Sequence, residues 1–202
     1  MEYVMPNWCC NELAVIGKKE EVERFYNSFK DTNEFFENNI PTPKELADVK
    51  ATFSKTPDSE ESNRLYEKYG ATDWYYWRIE NWGTKWDISE LQLTEEDDNG
   101  EGNLKYYCFR FDTAWSPPEE GIRKLSELYK DVLFHLQFEE PGMCFEGFYK
   151  CMNGIVLSQL TVESYTKIDQ ITDNYIEEYE LSLESQKEEN NIINNGIEDE
   201  SV

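Results

Sequence analysis

Tryptophan carries most of the chemistry this chain has to offer. Four of its six tryptophans fall in three short polar-aromatic motifs: Met5-Pro6-Asn7-Trp8-Cys9, Asn81-Trp82-Gly83-Thr84-Lys85-Trp86-Asp87 and Thr113-Ala114-Trp115-Ser116-Pro117-Pro118. The other two lie just upstream of the second motif, in Trp74-Tyr75-Tyr76-Trp77-Arg78. An indole presents a large apolar face and one N–H donor, and Trp, Tyr and Arg dominate the energetic centres of protein interfaces. Two readings stand side by side. The indoles plug the open end of a sheet, with Asn7, Asn11, Asn81, Gly83, Thr84, Asp87, Ser116 and Pro117 holding the loops. Alternatively Trp8, Trp74, Tyr75, Tyr76, Trp77, Arg78, Trp82, Lys85, Trp86 and Trp115 form an anchor patch for a partner. A buried small-molecule pocket is a third, weaker reading.

Catalytic chemistry is sparse by comparison. The chain has one histidine, His135, and strand alternation sets it opposite Phe134 and Leu136. There is no Gly-rich phosphate loop, nucleophile elbow or His/Cys metal set. The five cysteines, Cys9, Cys10, Cys108, Cys144 and Cys151, are odd in number and contain no CxxC pair. Cys9 and Cys10 point to opposite faces of a strand, so they chelate poorly and read as reduced thiols. The acidic run from Glu95 to Gly102 lacks the alternating ligands and closing Glu of a calcium loop. No catalytic residue, metal or cofactor is expected, and the chain reads as a non-enzyme.

With 43 acidic and 19 basic residues the formal charge is −24. The segment from Glu163 onward holds 12 acidic and 2 basic residues, and subtracting these from the totals leaves 31 and 17 for the remainder. The body of the chain is therefore acidic in its own right. Phosphate binding needs clustered Lys or Arg, so direct binding to nucleic acid or an anionic membrane is disfavoured. A basic protein partner, or a surface imitating nucleic acid, remains compatible. No signal peptide is visible, and no apolar run approaches the roughly 20 residues of a membrane span. We expect a soluble, intracellular protein.

The elements that must position the motifs follow from periodicity. Trp8 to Ile16 reads as a strand ending at Gly17, and Val22, Phe25, Tyr26 and Phe29 mark one face of a helix. Residues 31–84 read as an insertion, with a loop at Pro41-Thr42-Pro43, a helical turn from Lys44 to Val49, and a helix from Glu60 to Tyr69 stopped by Gly70. Lys85 to Thr94 predicts a strand whose phase requires a bulge near Ser89 and Glu90. Glu95 to Asn103 predicts a long hairpin turn. Leu104 to Thr113 alternates cleanly, with Tyr107, Phe109 and Phe111 on one side. A helix follows, with Ser116 as N-cap, Pro117 at its first position and Glu119 completing a capping box. Leu133 to Glu139 is a fourth strand. Phe145 to Leu160 is a hairpin turning at Asn153-Gly154. A helix from Val162 to about Leu183 precedes an Asn- and Glu-rich end.

Strand, helix, strand, strand, helix, strand predicts an α+β ferredoxin-like βαββαβ sandwich with both helices on one face, plus a C-terminal hairpin and helix. The expected divisions are 1–160 for the domain, 161–185 for the helix and 186–202 for an acidic disordered tail. A right-handed crossover makes the first two strands parallel, with the third between them. All three tryptophan motifs, and Glu140-Pro141-Gly142, then meet at one end of the sheet. The open face would carry Tyr106, Cys108, Arg110, Asp112, His135 and Gln137, little support for RNA stacking.

The three motifs, in this order, resemble those of the YubB-type ferredoxin-like domain family, over roughly residues 5 to 150. The resemblance implies the ferredoxin-like fold and a coding origin on bacteriophages, prophages or conjugative plasmids. It implies no catalytic residues and no redox role, since iron–sulfur cysteine spacing is absent. That setting, taken with the acidic and catalytically bare sequence, suggests an acidic protein-binding module in the bacterial host's cytoplasm, an inhibitor of a defence nuclease that occupies its basic nucleic-acid channel in the manner of an anti-CRISPR or anti-restriction protein. The alternative is a single-stranded nucleic-acid-binding domain.

Overall fold

The computed structural model describes residues 7–32, 34–51, 55–99 and 103–163. The chain divides into two compact units, Met1–Thr161 and Val162–Val202, and the description concerns the first almost entirely. The elements run β1 (Trp8–Lys18), α1 (Lys19–Asn27), α2 (Lys44–Ala47), α3 (Glu60–Tyr69), α4 (Trp74–Trp82), β2 (Ser89–Asn99), β3 (Leu104–Ala114), α5 (Glu119–Leu128), β4 (Val132–Glu140), β5 (Phe145–Met152) and β6 (Ile155–Glu163). They form one six-stranded sheet in the order β2-β3-β1-β4-β5-β6. β1 pairs antiparallel with both β3 and β4, and β2 with β3. The first four strands and helices α1 and α5 make the ferredoxin-like α+β sandwich that the strand order predicts, and β5 and β6 extend it.

Alternation decides which face is buried. Leu13 and Val15 of β1, Tyr107, Phe109 and Phe111 of β3, and Phe134, Leu136 and Phe138 of β4 all turn to the helix side. Val22 and Phe25 of α1 and Ile122 and Leu125 of α5 close over them. Phe25 is the hub, edge-on to Phe29, Phe35, Phe134 and Tyr129 at 5.0–5.7 Å between ring centroids. Gly121 lets α5 approach the segment after α1: an added Cβ would stand 2.5 Å from the Phe36 ring and 2.9 Å from the Trp82 carbonyl.

Three differences from the sequence reading have physical causes. The stretch from Glu95 to Asn99 is strand, not turn, with Glu96 opposite Tyr107 and Asp98 opposite Lys105. On a sheet edge the acidic side chains reach solvent, and Lys105 and Lys19 each meet one of them at 2.5 Å, at Glu96 and Asp98. At its other end β2 begins at Ser89 rather than Lys85; the expected irregularity is there, with Glu90 at φ 54° and a register shift between Ser89 and Gln92. Ser116 does not cap α5, which starts after Pro118 with no side-chain cap; its hydroxyl donates instead to the Gly83 carbonyl at 2.7 Å.

The segment between α1 and β2 contains a helix, α4, that periodicity did not reveal. Its signals are terminal: Asp73 accepts from the N–H groups of Tyr75 and Tyr76 at 3.0 and 3.1 Å, and Gly83 ends it in the left-handed region at φ 78°. The Asn153-Gly154 turn is as expected, both residues having positive φ. The expected terminal helix and acidic tail lie outside the described residues, except that Val162 and Glu163 belong to β6.

Candidate functional site

The three tryptophan motifs do meet at one end of the sheet, and hydrogen bonds to backbone carbonyls tie them together. Trp8 stands opposite Ala114 and Ser89 opposite Asp112. The Trp115 N–H donates to the Asn7 carbonyl at 2.9 Å, linking the first motif to the third. Thr84 donates to the Ala114 carbonyl at 3.3 Å, and with the Ser116–Gly83 bond this joins the third to the second. Beneath them the buried Asn11 amide donates to the Cys9 carbonyl at 2.8 Å and to the Thr113 hydroxyl at 2.9 Å. Thr113 in turn donates to the Ser116 carbonyl at 2.7 Å, closing the turn around Trp115.

That turn holds Trp115 at φ 75°, a left-handed conformation costly for a residue with a Cβ. Trp115 is 42% exposed, with Trp8 at 36% and Trp86 at 39%. Trp8 and Trp86 lie 6.5 Å apart between centroids at an interplanar angle of 44°. The Lys85 ammonium sits 3.9 Å from the Trp86 ring centroid and 5.5 Å from that of Trp115. Burial lowers its pKa from the ordinary value, so this cation is held partly dehydrated against indoles.

The remaining aromatic candidates belong to a different structure. Trp82 is fully buried and Trp77 is 8% exposed, so the anchor reading does not hold for either. Trp82 stacks on Phe36 at 5.7 Å and donates its indole N–H to the Ile40 carbonyl at 2.9 Å. Arg78 is committed as well: its guanidinium lies 4.4 Å from the Trp82 ring, donates to Thr42 at 3.0 Å and pairs with Glu37 at 3.2 Å. Asn81 donates to the Trp77 carbonyl at 2.7 Å, and the Lys124 ammonium donates to its amide oxygen. Asp87 accepts from the backbone N–H groups of Phe36, Glu37 and Ile88 at 2.8–3.1 Å, fastening the segment after α1 to the start of β2. Burial still raises its pKa, against the pull of those donors. Trp74 and Tyr75 are half-buried on α4, and Tyr76 lines a groove of about 480 Å³ with Tyr66, Tyr69, Lys55 and Lys124. The Pro117 carbonyl and the Pro118 backbone run so close to Gly83 that a Cβ added there would stand 3.2–3.3 Å from them.

Two carboxylates near the exposed indoles were not among the expected site residues, although the sequence placed Asp112 on the open face. Asp112 and Glu139 both stand opposite Cys10, two residues along β1 from Trp8 and on the same face. Alternation puts Asp112 there, but only strand order puts Glu139 beside it. Burial and these carboxylates raise the Cys10 thiol, while burial pushes Cys9 up to about 12. His135, half-buried against Phe148, has its pKa lowered by burial and by Lys150. Among the described residues no group of three or more His, Cys, Asp or Glu is placed to hold a metal ion, and no helix is long and apolar enough to cross a membrane.

The family model described as the ferredoxin-like domain in Api92-like protein matches residues 81–194, more than half of the chain. Among solved structures, the crystal structure of a protein api92 from Yersinia pseudotuberculosis aligns with a TM-score of 0.48 at 9% identity, over 78% of this chain and 98% of that one. No curated protein sequence matches. The chain belongs to the family of ferredoxin-like domains of Api92-like proteins.

Proposed function

We propose that this member of the Api92-like ferredoxin-like family is a non-enzymatic protein-binding module whose contact surface is the end of the sheet bearing Trp8, Trp86 and Trp115. One observation carries the reading: three half-exposed indoles, delivered by three separate motifs and tied together by one backbone hydrogen bond and two from the Thr84 and Ser116 hydroxyls, on an acidic domain. Exposing that much aromatic surface is unfavourable unless a partner covers it, and indoles in such positions anchor interfaces. The strained Trp115 backbone fits the same reading, since strain at a surface turn persists where side-chain placement matters.

The net charge of −24 favours a basic partner, with electrostatics guiding encounter and the indoles supplying the short-range contact. With the YubB-type resemblance and its phage and plasmid setting, the partner we propose is a nucleic-acid-handling effector in the bacterial host's cytoplasm. The acidic domain would occupy a channel built for phosphates. The test is affinity capture of the tagged chain from host lysate at low and high salt, beside Trp8→Ala and Trp86→Ala variants. Capture of a basic effector that the variants lose supports the proposal. Capture indifferent to both substitutions assigns contact elsewhere and overturns it. Quenching of indole fluorescence by single-stranded oligonucleotides at low salt would favour the nucleic-acid-binding alternative.

A further inference from the structure

The indole cluster already contains a cation, and that cation has no counter-ion among the described residues. Lys85 lies over Trp86 and Trp115 and forms no ion pair among the described residues. Two carboxylates on the adjoining strands are also without ion-pair partners there. Asp112 and Glu139 face each other across Cys10, one step in from Trp8 on the same face of the sheet. The cation two residues along β3, Arg110, is taken by Glu12 at 2.9 Å. Aromatic faces with unpaired carboxylates beside them are the surroundings a cationic side chain prefers, because ring quadrupoles and carboxylates attract the same charge.

We propose that this end of the domain is an arginine receptor, in which a guanidinium from an arginine-rich segment of the partner stacks on Trp8 and Trp86, faces Asp112 and Glu139, and displaces Lys85 from the indoles. The proposal rests on the protein-binding reading above and names its partner chemistry. Arginine fits better than lysine for two reasons. Its planar, weakly hydrated guanidinium stacks on an indole and bridges two carboxylates, which a compact ammonium does neither as well. A partner lysine would also only exchange for the lysine already there, with no net gain. Lys85 is a suitable placeholder because it is partly dehydrated and unpaired, so returning it to water costs little. A phosphate backbone meets the opposite situation, since Asp112 and Glu139 repel it.

The placeholder role gives an unusual sign. In the full-length chain, Lys85→Met removes the competing cation and leaves the rings, so a labelled octa-arginine peptide should bind about 3-fold tighter or more by fluorescence anisotropy. Asp112→Asn and Glu139→Gln should each weaken it by a comparable factor, and Trp86→Ala should weaken it further. Glu20→Gln removes the same charge from the exposed start of α1, beyond the far end of β1, and should change little. Octa-lysine should bind more weakly than octa-arginine to the wild type, with that preference lost in Trp86→Ala. If Lys85→Met weakens arginine binding or leaves it unchanged, or if Glu20→Gln matters as much as Asp112→Asn, the receptor does not exist. Should effector capture still depend on Trp86 in that case, the protein-binding reading survives alone; capture independent of the indoles removes both.

Discussion

Trp82 and Trp86 come from the same seven-residue motif, yet one is sealed in the core and the other half open to solvent. Trp82 ends α4, where Phe36 and Arg78 cover its ring and the Ile40 carbonyl accepts its N–H. Four residues later the chain has passed through the left-handed Gly83, and Trp86 emerges at the sheet end beside Trp8 with Lys85 over its ring. An indole whose N–H finds a backbone acceptor and whose faces meet carbon is structural. An indole whose ring meets a partly dehydrated cation and one tilted neighbouring indole has surface left to offer. The same residue type in one motif thus divides into two jobs, and the partners of each ring tell them apart.

Substitution separates the two jobs most sharply at the rings themselves. Trp82→Ala should cost about 3–5 kcal/mol, because it leaves a cavity between Phe36 and Trp77 and frees the Ile40 carbonyl. Trp86→Ala should cost less than about 1 kcal/mol, since a half-exposed ring has little burial to lose. Urea denaturation of both variants measures the contrast. Equal losses would make the exposed cluster another piece of core and remove the basis for a binding surface.

Next in size is the anchor between the two regions. Asp87→Ala strips an acceptor from three backbone N–H groups and should destabilise by about 2 kcal/mol or more. The loss should loosen the segment after α1 more than the sheet. Hydrogen exchange should therefore accelerate at Phe36 and Glu37 well before it does in β1.

How far this contrast could be read in advance depended on the kind of order involved. The sheet was legible because Tyr107, Phe109 and Phe111 alternate without interruption, and strand order alone then brought Trp8, Trp86 and Trp115 to one end. Helix α4 was not, because Trp74, Tyr75, Tyr76, Trp77 and Trp82 are apolar or amphipathic on nearly every side and leave no stripe. Its evidence was in Asp73 and Gly83, two terminal residues whose meaning depends on a helix between them. The acidic stretch from Glu95 to Asn99 misled because edge strands tolerate charges that turns also favour. Exposure of individual indoles was illegible for a simpler reason: it depends on Phe36 and Ile40, which reach Trp82 from more than forty residues away.

The Trp115 turn offers a smaller and cleaner measurement. Trp115→Gly and Trp115→Ala both remove the ring, but only glycine occupies φ 75° without steric cost. The glycine variant should be more stable than the alanine variant by about 1 kcal/mol in urea denaturation. Both should fail equally in effector capture. If alanine proves as stable as glycine, the turn relaxes freely and its geometry cannot be maintained for the sake of the ring.

The finest test uses pH to move one charge inside the exposed cluster. Burial lowers the Lys85 pKa below its ordinary 10.5, so folding favours its neutral form. As pH rises through that lowered value the ammonium loses its proton and with it the attraction to Trp86, while a guanidinium stays charged throughout. In a Cys10→Ser background, octa-arginine should therefore bind more tightly as pH rises through the alkaline range below 10.5, by no more than the Lys85→Met substitution achieves at neutral pH. The Cys10 thiol between Asp112 and Glu139 also titrates in the alkaline range, so the control is the Lys85→Met, Cys10→Ser double variant, in which the rise due to Lys85 should be absent. A Cys10→Ser affinity that falls with pH would mean Lys85 helps the ligand bind, and the cation over the indoles would then be a contact for an anion rather than a stand-in for arginine.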